Sequence, residues 1–261
     1  MKNTLSVLTT KSTNGIARIK LNEPSTYNAL STKTLQLLID SLKRLNSDDK
    51  TKVIVIEGDG KGFSAGHNLK EVRSLKTKKE YKKLFSLCSK LMLEIVEGKK
   101  PVIAKVHGAA FAAGCQLVAS CDLAISSDEA IFATPGVNIG LFCSTPMVAI
   151  SRKVSRKRIM KMLLTGEHID AKYAKEIGLI NDYYPIQQLE SEVLKIAEKI
   201  ASKSPLLIKI GKKAFYKQLE MPLNKAYQYT SKVMTENMMT MDAKEGISAF
   251  IEKRKPKWKN K

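Results

Sequence analysis

Residues 16–21, IARIKL, alternate apolar and polar positions, the two-residue period of a strand with a buried face. Residues 53–57 (VIVIE) and 102–106 (VIAKV) are instead short, nearly unbroken apolar runs, as strands covered on both faces require. Between the first two, Leu35, Leu38, Ile39, Leu42 and Leu45 fall on one helical stripe, with Ser31 and Thr32 available as caps and the polar NSDDK closing it. The spacing predicts strand, helix, strand. The alternation then repeats: a helix from about residue 68, the strand at 102–106, a small-residue helix around 114–120, and a short strand, DLAIS, at 122–126. From about residue 186 strand signals vanish, and LESEVLKIAEKIASK and AYQYTSKVMTENMM read as amphipathic helices. The expectation is an α/β core over residues 1–203 and a helical region over residues 204–261. The last stretch, EKRKPKWKNK, is too basic and too proline-broken to continue a helix far.

Composition narrows the class. A chain of 261 residues, 43% hydrophobic, forms one functional unit with a sizeable core. No apolar run approaches the roughly 18 residues of a membrane helix, so a soluble protein without a membrane span is expected. The first residues, MKNTLSVLTTKSTNGIARIKL, carry neither the apolar stretch of a secretory signal nor an Arg-rich amphipathic address. The expected compartment is the cytoplasm, or the mitochondrial matrix in a eukaryote. Cys88, Cys115, Cys121 and Cys143 form no CxxC pair and no short histidine spacing accompanies them, so neither a disulfide nor a metal is expected. Forty-five Lys plus Arg against 25 Asp plus Glu give a net charge of +20, which attracts polyanions without choosing among nucleic acid, anionic lipid and phosphorylated cofactor. No aromatic-interleaved basic stretch points to RNA, and nucleic acid is not an expected partner.

Three patterns offer chemistry. GDGKGFSAG follows VIVIE like the glycine turn of a dinucleotide fold, but after Gly58 and Gly60 the third position is Phe63 and the register fails. Gly62-Phe63-Ser64-Ala65-Gly66 matches the G-x-S-x-G nucleophile elbow between strand and helix. Only His107 and His168 remain beyond His67 to complete a triad, and no HGGG-type loop precedes the serine. The third pattern is the pair GFSAGHNLK (62–70) and VHGAAFAAGCQLVASCDLAISS (106–127). In each, a strand leads through small residues into a helix start, which leaves backbone amides uncovered, and two such amides converging on one point would hold an oxyanion.

Together these segments resemble the crotonase superfamily, with its FxAGxDL turn and its second donor after a VxGxAxGGG-type loop. LNEPSTYNALS (21–31), FATPGVNIGLF (132–142), LLTGEHIDAKYAKEIGLIN (163–181) and AFIEKRKPKW (249–258) resemble further family signatures in order. AAGCQLVASCD and FATPGVNIGLFCSTP are similar to one branch, the enoyl-CoA hydratase domain-containing proteins. The resemblance implies the crotonase (ClpP-like) spiral of repeated ββα units with a C-terminal helical trimerisation region, and a trimer or dimer of trimers. It implies an enoyl-CoA hydratase/isomerase-like activity on an acyl-CoA thioester, with no cofactor beyond the coenzyme A that the substrate carries. The oxyanion donors would be the amides of His67 and Ala113, within a substrate-binding turn of Ala65, Gly66, His67, Asn68, Leu69 and Lys70. Lys70 resembles a lysine near the CoA phosphates, Tyr27 a contact to the adenine nucleotide, and Phe250 with Lys253 a patch lent by a neighbouring subunit.

One departure matters more than the match. Where family hydratases carry two glutamates that position and activate water, this chain has Gln116 and Gly136. An amide cannot take a proton near neutral pH and a glycine offers nothing, while each lost acid/base group removes about 10²- to 10⁴-fold. Farther along the loop stand Cys143, Ser144 and Thr145, none an obvious base. Efficient hydration is therefore not expected. The alternatives are a non-catalytic acyl-CoA binder and an RNA-binding relative.

Overall fold

A computed structural model describes residues 5–11 and 14–261. The larger of two sheets runs in the order β1 (Val7–Lys11), β2 (Ile16–Leu21), β3 (Val53–Gly58), β5 (Val102–Val106), β7 (Leu123–Ser127), β10 (Asp182–Tyr184), with β1 antiparallel to β2 and all other pairs parallel. The smaller sheet orders β4 (Gly62–Ser64), β6 (Ala109–Phe111), β8 (Ile131–Ala133) and β9 (Ile169–Asp170). Each central strand of the large sheet passes directly into a strand of the small one, β3 into β4, β5 into β6, β7 into β8, and then into a helix. This is the repeated ββα spiral.

The helices are α1 (Thr32–Ser47), α2 (Leu69–Ser74), α3 (Lys78–Val96), α4 (Ala113–Ser120), α5 (Ser144–Ile150), α6 (Arg156–Thr165), α7 (Ala171–Glu176), α8 (Ile186–Ala201), α9 (Pro205–Gln218), α10 (Leu223–Met238) and α11 (Met241–Ile251). Among the described residues no helix is long and apolar enough to cross a membrane.

The unbroken apolar runs follow from burial on both faces. Ile54 and Ile56 of β3 join the main core with Leu35, Leu38 and Leu42 of α1 and Leu84 and Leu91 of α3, whereas Val53 and Val55 meet Leu189, Val193 and Ala197 of α8. Toward the end of that second face the pattern turns polar. Glu57 stands opposite Lys105 in the register, and Arg18, Lys105, Glu57 and Glu190 form one ion-pair network.

The single helix expected from residue 68 is two helices. Thr77 leaves the helical region at φ −119° and ψ 150°, and its capping box with Glu80 starts α3 anew. The helices α9 to α11 pack on one another and are tied to the core by Lys212. Its buried ammonium donates to Asp122 Oδ2 at 2.6 Å, to Ile95 O at 2.8 Å and to Lys100 O at 2.9 Å. Residues 252–261 fold back as a strap: Trp258 Nε1 donates to Ser202 O, and the Lys259 and Asn260 amides donate to the buried Asp242.

Candidate active site

Two of the ββα units meet where their helices begin. After β4 the chain turns at Gly66, whose φ of +90° lies in the region that glycine alone adopts freely. The turn is sewn to residues 27–30: the Ala65 amide donates to Tyr27 O at 2.9 Å and the Leu30 amide to Gly66 O at 2.7 Å. Ser64 is fully buried, donating to Asn28 O at 3.0 Å and accepting from the Gly66 amide at 3.3 Å. A hydroxyl enclosed and spent in this way is no nucleophile, which removes the elbow reading. Asn68 then caps α2, its Oδ1 accepting from the amides of Lys70 and Glu71.

The second unit arrives at the same place. β6 ends at Phe111, and Ala112 bends the chain through φ 47° and ψ −114° so that α4 begins at Ala113. The two backbones are in contact: a Cβ added to Gly114 would lie 2.2 Å from Ser64 O, and one added to Gly66 would lie 3.1 Å from the Ala113 amide nitrogen. Neither the His67 nor the Ala113 amide donates to a carbonyl of the described residues. The structure thus brings Ala65, Gly66, His67 and Ala113 together.

Around them the side chains are apolar or neutral. The His67 ring places Nδ1 3.4 Å from Leu30 O and stands edge-on to Phe85 at 5.5 Å, while Nε2 is buried without a partner. Burial lowers its pKa from the ordinary 6.5, against the opposing pull of Leu30 O and Glu71, so the imidazole is neutral at neutral pH. Gln116 is 3% exposed and its Oε1 lies 3.8 Å from the Cys88 sulfur. The Cys88 thiol is pushed up to about 12 by burial, leaving it protonated. Gly136 is walled in: a Cβ there would meet the Cys143 sulfur and Leu141 O, each at 2.9 Å. The second glutamate position is therefore filled by the neighbouring loop as well as lacking a side chain.

The peripheral candidates divide. Tyr27, at φ 52° and 47% exposed, lies beside the turn, its ring edge 3.5 Å from where a Cβ on Gly62 would sit. Leu69 and Lys70 are exposed at the start of α2. Phe250, 85% exposed, and Lys253 lie at the end of α11, which packs on α9 and α10. Sequence reasoning missed Asn28. This buried residue, at φ 55°, donates through Nδ2 to Asp59 O and Gly62 O, both at 2.8 Å, and accepts from the Glu23 amide at 2.9 Å. One amide thereby ties together the loops after β2 and β3 and the start of β4.

Known proteins resemble this chain in sequence and in fold. A family model described as enoyl-CoA hydratase/isomerase matches residues 11–261. A mouse (Mus musculus) protein named enoyl-CoA hydratase domain-containing protein 3, mitochondrial, is 46% identical over 249 residues, 95% of this chain and 83% of its own. The crystal structure of a human enoyl coenzyme A hydratase domain-containing protein 3 superimposes with a TM-score of 0.94 at 45% identity, covering 97% of this chain and 100% of that one. A Mycobacterium smegmatis structure described as an enoyl-CoA hydratase gives a TM-score of 0.95 at 43% identity, covering 97% and 98%.

Proposed function

The chain belongs to the enoyl-CoA hydratase/isomerase family, and on that premise we propose that it binds an acyl-CoA thioester with the carbonyl oxygen between the amides of His67 and Ala113. The observation that carries this reading is the close approach of Gly66 to the Ala113 nitrogen, with both amides unspent. When a proton leaves the α-carbon, or a nucleophile adds at the β-carbon of an enoyl thioester, negative charge gathers on that oxygen. Two fixed N–H groups at the start of α4 and α2 stabilise it without reorganising, an effect worth about 10²- to 10³-fold per donor in acyl-transfer enzymes. Glycine at 66 and 114 keeps the approach open. Lys70 would meet the CoA phosphates and Tyr27 the adenine nucleotide. Phe250 and Lys253 would serve a neighbouring copy in a trimer or dimer of trimers. No further cofactor is needed, because the thioester brings its own activating group. The proposed setting is a reducing aqueous compartment, the cytoplasm or a mitochondrial matrix, in keeping with four buried free cysteines and the mitochondrial names of the relatives.

A second reading, a non-catalytic acyl-CoA binder, is favoured by the filled wall at Gly136 and the neutral Gln116. Incubation with a panel of 2-enoyl-CoAs, following the enoyl thioester absorbance beside CoA-thioester binding by calorimetry, separates the two. Turnover supports the enzyme; binding without turnover leaves only the binder; no binding sinks both. Gly66→Ala, which would set a methyl against the Ala113 amide, should weaken thioester binding at least tenfold while the fold persists.

A further inference from the structure

The helices α1 and α3 lie side by side, and the two ends of their seam differ. At the far end, Lys43 faces Glu94 at 3.6 Å and the seam is charge-balanced. At the near end, a groove of about 810 Å³ opens between Lys33 and Leu37 of α1 and Lys83, Leu87 and Lys90 of α3, with Glu71 of α2 at its edge. Within each helix these residues recur at spacings of three or four and so share a face. Leu37 and Leu87 are half-buried on the core and make an apolar floor. None of the three ammonium groups forms an ion pair among the described residues, and the Glu71 Oε2 is taken up by the Thr32 amide at 2.9 Å. An apolar floor rimmed by three cations, none in an ion pair among the described residues and with the one carboxylate, Glu71, at the edge, carries an excess of positive charge and is incomplete by itself.

We propose that this groove is a binding site for an alkyl carboxylate, separate from the thioester site. The floor takes the chain and the lysines take the carboxylate. Its length favours a small amphiphile over a peptide helix: Lys83 and Lys90 are seven residues apart, about 10 Å along α3. A docked helix would need several turns of apolar anchors, and among the described residues Leu37 and Leu87 are the only large apolar side chains lining the groove. None of the lining residues belongs to the paired turns at His67 and Ala113, so the inference stands independently of the thioester reading.

The test uses the full chain and decanoate as probe, read by calorimetry. One binding event is expected, with decanol at least tenfold weaker. The double charge reversal Lys83→Glu/Lys90→Glu, and separately Lys33→Glu, should each weaken decanoate at least tenfold, whereas Lys225→Glu on the exposed face of α10 should leave it unchanged. Circular dichroism checks the fold of each variant, and decanoyl-CoA affinity should be the same in all. The proposal is overturned by no decanoate binding, or by binding indifferent to the groove reversals. It is equally overturned if decanoyl-CoA displaces decanoate and loses affinity in the same variants, which would make the groove the far end of the acyl pocket. Groove-dependent binding of anionic vesicles or an acidic peptide without decanoate would also overturn it.

Discussion

Ala112 holds an L residue at φ 47° and ψ −114°, a backbone region in which a Cβ is crowded. Such strain costs about 1–3 kcal/mol, and a glycine returns part of the gain through greater freedom in the unfolded chain. Ala112→Gly is therefore expected to stabilise the protein by about 1 kcal/mol, read as a higher urea midpoint at unchanged slope. His67 has the opposite character, a base whose folded pKa lies below 6.5 because of burial. The unfolded chain binds this proton first as pH falls, so the contribution is fully present above about 6.5 and is lost progressively below it. Stability should fall between pH 7.5 and pH 5, and His67→Gln should flatten that slope; an unchanged slope would show the ring plays no part. At this scale the turn at Gly66 and the cap at Asn68 were legible, because both act on residues a few positions away. Asn28 was not. Its partners Asp59 and Gly62 lie 31 and 34 positions downstream, and no local pattern announces such a bond.

Among elements, the clearest dependence is that of α9 on Lys212, whose side chain is 7% exposed and satisfied by one carboxylate and two carbonyls. Lys212→Met leaves Asp122 without its counter-charge, although the Val102 amide and the Tyr216 hydroxyl still donate to it. Removing one partner of a buried pair costs about 3–5 kcal/mol, and chemical denaturation should show a loss of that order. The long strands and helices were readable because burial imposes a period or an unbroken apolar run over five residues or more. The small sheet was not: its strands are two or three residues long, too short to carry a period. β1 escaped because it is an edge strand with Val7 as its one buried residue. The break between α2 and α3 was written in the sequence as Thr77-Lys78-Lys79-Glu80, a capping box inside an otherwise continuous helical pattern.

For the molecule as a whole, the helical end exposes Leu223, Tyr227, Met239, Phe250 and Ile251, each more than two-thirds accessible. Adaptable apolar surface of this extent is what self-association covers. Phe250→Asp should shift the protein toward monomer in sedimentation while leaving its melting cooperative; an unchanged mass would place the contact elsewhere. The family was legible from the ordered motifs along the chain, and the matched region of 11–261 agrees with that reach. The state of the site was only half legible, since Gly136 announces a missing carboxylate but not that the Cys143 sulfur and Leu141 O stand where a side chain there would begin. The tie at Asn28 has a consequence for how a long ligand is felt. The Asn28 amide fixes the loop carrying Tyr27 to the start of β4, and backbone bonds from Ala65 to Tyr27 O and from Leu30 to Gly66 O join that loop to the turn, so ordering either lowers the entropic cost of ordering the other. An ADP fragment seated near Tyr27 should then tighten a short pantetheine thioester bound at the amides, and by reciprocity the thioester should tighten ADP equally. In Asn28→Ala that mutual tightening should shrink, leaving only what the two backbone bonds between the loop and the turn transmit.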